Sequence, residues 1–166
     1  ENKAKSLVEK YFDLPLPFIE IHNDAAIAEL IFGGLVHFQT LGTAFTTPAF
    51  DRLLTDKQPH LVTGLSLAGN LINLTVSADD LPASEIASLL SSYRKRKRYH
   101  RLRNGSFMSL EGYDLAQLDR LVADFGITAK QLASGVVELP FYQAFYLDEQ
   151  LQDSKRDESF TRYLED

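Results

Sequence analysis

The chain has 166 residues, of which 45% are hydrophobic and 24% charged, and its formal net charge is −6. This length predicts one domain, with room for a helical extension, and the composition is typical of a globular protein. The absence of cysteine excludes a disulfide framework, a thiolate zinc site and a cysteine nucleophile. It also agrees with a reducing compartment, so we expect a cytoplasmic protein.

Two further features concern the membrane and the ends of the chain. The longest apolar stretch, residues 25–38, contains Glu29 and His37 and is too short to cross a bilayer, so no membrane partner is expected. The sequence begins Glu1-Asn2-Lys3, without Met, and we expect a fragment of a longer protein.

The first elements are helical and are separated by chain breakers. Residues 3–12 carry an apolar stripe at helical spacing, Pro15 and Pro17 interrupt it, and residues 18–21 indicate a short strand.

A second helix is predicted over residues 24–41, with Asp24 as its cap. Gly33 and Gly34 inside it cost about 2 kcal/mol of helix propensity. We therefore expect a close contact at these glycines, or a break in the helix. Residues 43–58 are ambiguous: residues 43–47 suit a short strand, and residues 48–54 could be a helical turn.

The next segment alternates apolar and polar residues on either side of a turn at residues 69–70. A two-residue turn there pairs Leu67 with Ile72 and Leu65 with Leu74, so the segment predicts a β-hairpin with one apolar face.

A helix follows, capped by Asp79 or Asp80, with Pro82 in its first turn. Lys97 continues the buried phase of this helix, so its stem is expected to lie along the core. The buried stripe comprises Ile86, Leu89, Leu90 and Tyr93.

A second hairpin is predicted around Asn104-Gly105, a strong turn signal. A two-residue turn would pair Leu102 with Phe107 and His100 with Ser109.

The remainder is mainly helical, with a capping box at Thr128 and Gln131 and a short strand at residues 136–137. The predicted helices span residues 113–125, 141–151 and 159–164. The fold class is α+β, with two antiparallel β-hairpins covered by helices and a helical C-terminal tail. We expect an α+β core over residues 1–110 and a helical C-terminal portion over residues 111–166.

Positive charge is concentrated in one segment. Residues 94–103 hold seven cations, whereas the other 156 residues hold 10 basic and 23 acidic side chains. Such a segment favours phosphate binding, although a solvated helix end is an equally ordinary explanation. The candidate nucleic-acid-binding residues are Arg94, Lys95, Arg98, Arg101 and Arg103.

Aromatic residues and histidines lie near the same segment. The periodicity predicts that Tyr93 and Phe107 are core residues, and it leaves Tyr99 open. His100 could touch phosphate, and His37 is expected to be partly buried with a hydrogen-bond partner. None of the four histidines has metal-ligand spacing, so no metal is expected.

No catalytic or cofactor motif is complete. Gly64 and Gly69 have the spacing of a phosphate-binding loop, but Asn70 and Leu71 occupy the positions of the required Lys and Ser/Thr. The pair at residues 148–149 resembles the end of an ATPase strand, but its surroundings favour a surface helix. We predict no enzyme activity and no cofactor for this chain.

The stretch from Ser91 to Phe107 resembles a signature of the bacterial SWI/SNF helicase-associated domain. That signature is a basic run, two aromatics, Arg-Leu, a polar pair with Gly, and Ser-Phe; His100 departs from it at the second aromatic. Further matches are Gly34-Leu35, Leu41-Gly42, residues 64–67, Leu139-Pro140 and residues 146–148, so the resemblance touches most of residues 24–151.

The resemblance implies an accessory domain in front of the two-lobed ATPase core of an ATP-driven DNA translocase. ATP and Mg²⁺ would then belong to that core, and a zinc module common in the family would be absent. It implies no catalytic residue here.

Two functions follow as hypotheses. In the first, the domain contacts DNA without sequence specificity through residues 94–103. If four cations meet phosphates, the logarithm of affinity should fall with the logarithm of salt at a slope of about −3.6. In the second, it is a protein-interaction or bracing module that docks on the ATPase lobes or another protein.

Overall fold

A computed structural model describes residues 1–15, 17–55 and 57–166. The chain forms two compact units, one of residues 1–57 and 99–111 and the other of residues 58–98 and 112–166. The predicted α+β class is confirmed, because helices accompany two small sheets that both contain antiparallel pairs.

The first unit begins with three helical segments, α1 (Asn2–Tyr11), α2 (Asp24–Glu29) and α3 (Leu35–Leu41). A π-helical turn, Leu30–Gly34, joins α2 to α3. The predicted cap Asp24 is wrong, since Asn23 precedes the helix and its side chain accepts from the Ala26 amide. The predicted strand at residues 18–21 is also wrong; only an isolated bridge joins Asp13 to Phe18.

A close contact was expected at the two glycines of the π turn, and it is found at one of them, Gly34. A Cβ on Gly34 would lie 3.0 Å from Leu30 Cδ1 and 3.1 Å from a ring carbon of Tyr11. One on Gly33 would meet its nearest neighbour, the Tyr11 hydroxyl, at 3.8 Å. The Tyr11 ring is held by a 2.9 Å hydrogen bond between its hydroxyl and His37 Nδ1. His37 is exposed rather than partly buried, although it has the expected hydrogen-bond partner.

The short strand considered for residues 43–47 does not form, whereas the helical turn considered for residues 48–54 does. Helix α4 (Pro48–Asp51) is capped by Thr47, and β1 (Leu54–Thr55) follows. Strand β1 runs parallel to β5 (Phe107–Ser109), which pairs antiparallel with β4 (Tyr99–Arg101).

The second hairpin forms, but its predicted register is wrong by one residue. His100 pairs with Met108 and Arg101 with Phe107. The loop has three residues because Gly105 adopts a φ of 89°, the left-handed position that ends a three-residue hairpin loop. One residue of slip exchanges the faces of a strand, so His100 is buried with Met108.

Apolar side chains from the helices and the hairpin form the core of the first unit. Ala28, Ile31 and Phe107 are buried there, and partly buried neighbours pack around them. These neighbours are Ile27, Phe32, Phe50, Leu53 and Tyr99.

The second unit is built on a four-stranded sheet of order β6-β3-β2-β7. Strands β2 (Leu61–Ala68) and β3 (Leu71–Ala78) pair in the predicted register, with Leu67 opposite Ile72 and Leu65 opposite Leu74. Strand β6 (Val136–Pro140) adds antiparallel to β3, which confirms the short strand expected there. Strand β7 (Lys155–Arg156) adds parallel to β2.

Helices pack around this sheet. Helix α5 (Ala83–Arg94) contacts β3, α6 (Ala116–Asp124) and α7 (Ala129–Ser134), and α9 (Glu158–Glu165) contacts β2. A 3₁₀ turn (Phe141–Gln143) leads into α8 (Ala144–Gln150). No helix in the described residues is both long and apolar enough to cross a membrane.

Of two helix caps predicted in the second unit, one forms and the other does not. The capping box of Thr128 and Gln131 is confirmed. The expected cap of α5 at Asp79 or Asp80 is wrong, because Pro82 precedes the helix and Asp80 has a φ of 58° in the turn before it.

Candidate nucleic-acid interface

The C-terminus of α5 carries five consecutive cations, which we call the basic turn: Arg94, Lys95, Arg96, Lys97 and Arg98. The helix ends because the chain turns into a left-handed conformation at Arg96, where φ is 53°. The Arg96 amide donates to the Tyr93 carbonyl at 2.9 Å, and the Lys97 amide donates to the Ser92 carbonyl at 3.1 Å. These two bonds are those of a Schellman motif, in which glycine usually holds the left-handed position.

This turn presents all five side chains to solvent. Lys97 was expected to follow the buried phase of α5, and this is wrong because the helix ends before it. Cations at a helix C-terminus interact favourably with the helix dipole, so the arrangement is stable locally.

The five cations differ in their partners. Arg94 forms an ion pair with Asp119 of α6, and both side chains remain about two-fifths exposed. Arg98 also has an interaction within the structure. Within residues 1–15, 17–55 and 57–166, the side chains of Lys95, Arg96 and Lys97 have no hydrogen bond or ion pair. They are therefore available to an external anion.

The remaining cations of the sequence segment lie in the β4–β5 hairpin of the first unit, where Arg101 is part of the fold. Its guanidinium lies 2.6 Å from an Asp24 carboxylate oxygen and 4.9 Å from the centre of the Phe107 ring. It also donates to the carbonyls of Ile21 and Gly105. Arg103 is exposed in the hairpin loop. Their predicted role in binding nucleic acid stays a prediction.

The aromatic residues near these cations are mostly inside the fold. Phe107 is buried, as predicted, and Tyr93 is half-buried. Tyr99 stacks on Phe32, with ring centres 4.6 Å apart and planes 8° from parallel. His100 is buried, which argues against the phosphate contact considered for it. The basic turn therefore offers charge rather than stacking surfaces.

A cavity of about 300 Å³ with both polar and apolar walls lies elsewhere in the second unit, lined in part by His60, Tyr113, Asp114 and Asp153. The Tyr113 hydroxyl donates to the Pro59 carbonyl at 2.5 Å, and burial raises the pKa of Tyr113 to about 12. The hydroxyl is thus held as a neutral donor and is no nucleophile near neutral pH.

The described residues contain no group of three or more histidine, aspartate or glutamate side chains placed to hold a metal ion. Gly64 and Gly69 lie in the β2–β3 hairpin, not in a strand-to-helix loop. Asp148 lies in α8, as the surface-helix interpretation predicted, and it pairs with Arg156.

The fold and the basic turn define a small α+β module that presents cations to solvent. The chain belongs to the family described as bacterial SNF2 helicase associated, whose model matches residues 1–166, the whole chain. No curated protein and no solved structure matches it. The predicted family is confirmed, and it is an accessory family rather than a catalytic one.

Proposed function

We propose that this domain is a non-catalytic accessory module of a bacterial SNF2-type DNA translocase, and that its basic turn contacts the DNA backbone. Lys95, Arg96 and Lys97 carry the proposal, because they are adjacent, exposed cations without intramolecular partners in the described structure. ATP and Mg²⁺ would act in the ATPase core of the parent protein, outside this chain.

The backbone at Arg96 supports the same proposal. A non-glycine residue in the left-handed region costs about 1–2 kcal/mol. Glycine would relieve this strain, but it would remove one charge from the centre of the basic turn. Strained positions of this kind concentrate at functional sites, because the surrounding structure holds them in place.

The proposed contact is to phosphates and carries no base specificity. The cations sit on a turn at a helix end, and phosphate contacts position a protein on DNA without reading its sequence. The body of the protein is acidic, so attraction should be confined to this turn and should be strongly salt-dependent.

The test is fluorescence anisotropy with labelled single- and double-stranded DNA over a salt series. The first variant replaces Lys95, Arg96 and Lys97 by Glu, and we expect an affinity loss of about tenfold or more, with a salt slope smaller by about 2.7. These positions are better targets than Arg94, because replacing Arg94 by Glu would place an acid beside Asp119.

The matched control replaces three exposed lysines away from the turn by Glu, namely Lys3, Lys5 and Lys130. It changes the net charge equally, so it separates local contact from overall repulsion. An equal loss in both triple variants, or no loss in either folded variant, would contradict binding through the basic turn.

Arg101 needs a different experiment, since it is tied into the first unit. Arg101→Ala removes the ion pair to Asp24 and the contact with Phe107, and we expect about 1–2 kcal/mol less stability. Urea unfolding should therefore be measured before any loss of DNA affinity in this variant is assigned to a phosphate contact.

A second candidate function, docking on the ATPase core, is favoured by an apolar groove in the first unit. The groove has a volume of about 630 Å³ and lies among α1, α3 and the segment up to Phe50. Residues 30–50 contain no Asp, Glu, Lys or Arg, and Phe45 at its edge is 93% exposed. Exposed apolar side chains around a groove are typical of a protein-binding site.

This second function is tested with the separately expressed ATPase core of the parent protein. Phe45→Ser should weaken binding to that core at least about tenfold, as interface aromatics commonly do. Ile21→Ser, which removes a 70% exposed apolar side chain from outside the groove, is the control. Binding that is unaffected by Phe45→Ser would remove the groove from consideration.

A further inference from the structure

A second exposed feature of the second unit is an aromatic face on the 3₁₀ turn and α8. Tyr142, Phe145 and Tyr146 are 80%, 61% and 43% exposed. They follow one another at helical spacing through the 3₁₀ turn and α8, so they share one side of the chain. Aromatic residues are enriched in protein interfaces, and a cluster of exposed rings is unusual on a free surface.

Two of the three rings pack against other aromatic side chains. Phe145 lies against Tyr163 of α9, with ring centres 6.0 Å apart, and Tyr146 lies against Phe125, with ring centres 5.6 Å apart. The Tyr146 hydroxyl donates to an Asp124 carboxylate oxygen at 3.0 Å. Rings that are already ordered lose little conformational entropy when a partner binds, which favours binding.

Two carboxylates act on the Tyr146 hydroxyl at this face. The hydrogen bond to Asp124, then desolvation and, more weakly, the charges of Asp124 and Glu149 raise the pKa of Tyr146, against a smaller opposing effect of Arg120. Asp124 and Glu149 are exposed, and residues 112–166 as a whole hold eleven acidic and five basic side chains. A phosphate ligand would be repelled, whereas a cation would be attracted to both the rings and the acids.

We propose that the face formed by Tyr142, Phe145 and Tyr146, with Asp124 and Glu149 at its edge, docks an arginine-bearing segment of a protein partner. A guanidinium group is planar, so it stacks on aromatic rings while it donates hydrogen bonds to a carboxylate. An ammonium group makes the charge contact but not the stacking contact. No residue of this face belongs to the basic turn, so this proposal does not depend on DNA binding.

The probe is a synthetic peptide of repeated Arg-Gly-Gly units, and its counterpart has lysine at each arginine. Anisotropy of the labelled peptides should show tighter binding of the arginine peptide by about threefold or more, the size of an exposed cation–π contribution. Chemical-shift changes on adding the arginine peptide should centre on Tyr142, Phe145 and Tyr146.

Two variants test the surface. Tyr142→Ser combined with Phe145→Ser should weaken binding of the arginine peptide at least about fivefold, since two stacking rings are lost. Glu149→Gln should weaken it by a smaller factor. Ile21→Ser, at a 70% exposed apolar position in the first unit, should leave it unchanged. Tyr142→Ser alone, at an 80% exposed position, provides the result if the double variant does not fold.

Four outcomes would overturn the proposal. One is the absence of binding by the arginine peptide. Another is equal binding of the arginine and lysine peptides, which would indicate diffuse charge attraction. The third is equal binding by the wild type and a folded Tyr142→Ser variant. A loss of DNA binding in that variant would instead assign the face to nucleic acid and would also overturn the proposal.

Discussion

Replacing Arg96 by glycine should leave the second unit more stable than replacing it by alanine, and both changes should weaken binding to DNA. The left-handed backbone at φ 53° costs arginine about 1–2 kcal/mol. Glycine accepts this conformation freely but loses about 0.5–1 kcal/mol more conformational entropy on folding. The difference leaves a gain of about 0.5–1 kcal/mol for the backbone change.

Arg96→Ala is the matched control, because alanine removes the same charge and keeps the strained Cβ. Urea unfolding should therefore rank Arg96→Gly above Arg96→Ala by about 0.5–1 kcal/mol, or about 1–4 °C in the unfolding midpoint for a chain of this size. The comparison cancels the loss of the favourable helix-dipole interaction, which both variants share.

In the DNA measurement, both variants should bind more weakly than the wild type. Both variants lose one phosphate contact, so the salt slope should become less steep by about 0.9 in each. If Arg96→Ala is at least as stable as Arg96→Gly, the strain argument is wrong. If both variants keep the wild-type salt slope, Arg96 makes no phosphate contact.

Three further predictions concern single positions. Gly34→Ala should lower the stability of the first unit by about 1–2 kcal/mol, because its Cβ would meet the Tyr11 ring at 3.1 Å. Gly33→Ala, whose Cβ has 3.8 Å of space, should raise that stability by about 0.5–1 kcal/mol through helix propensity. Tyr113→Phe should reduce the alkaline loss of stability. The raised pKa of Tyr113, about 12, means that its contribution is complete below about pH 10 and is lost as pH rises through 12. Asp119→Asn should release Arg94 and steepen the salt slope by up to about 0.9.

Each of these has a direct measurement. Urea unfolding of the two glycine variants should give opposite signs, and equal signs would contradict the packing argument. The effect of Tyr113 is measured by urea unfolding, as the change between about pH 10 and pH 12 in the difference in unfolding free energy between wild type and Tyr113→Phe. Because the side chain is only half-buried, solvent screening limits this difference to at most about 2 kcal/mol. For Asp119→Asn, anisotropy that shows no gain in DNA affinity would mean that Arg94 stays away from phosphate.

Local patterns determined several elements before any tertiary contact was known. The β2–β3 register followed from alternating apolar residues around a turn, since both signals specify the same pairing. The capping box at Thr128 and Gln131 involves atoms only three residues apart. The concentration of positive charge in one segment and the family membership are likewise properties of the sequence.

Contacts between distant residues decided the rest. The β4–β5 hairpin took a three-residue loop instead of the predicted two. Strand β5 of this hairpin also pairs with β1, and its residue Phe107 is buried in the core. The register of the hairpin therefore depends on contacts with the rest of the first unit. The sequence places Arg101 and Lys97 in one basic run. Only the fold shows that Arg101 is bound to Asp24, 77 residues away along the chain, while Lys97 is exposed. Charge density is a property of sequence, but the availability of each charge depends on which acids the tertiary structure brings beside it.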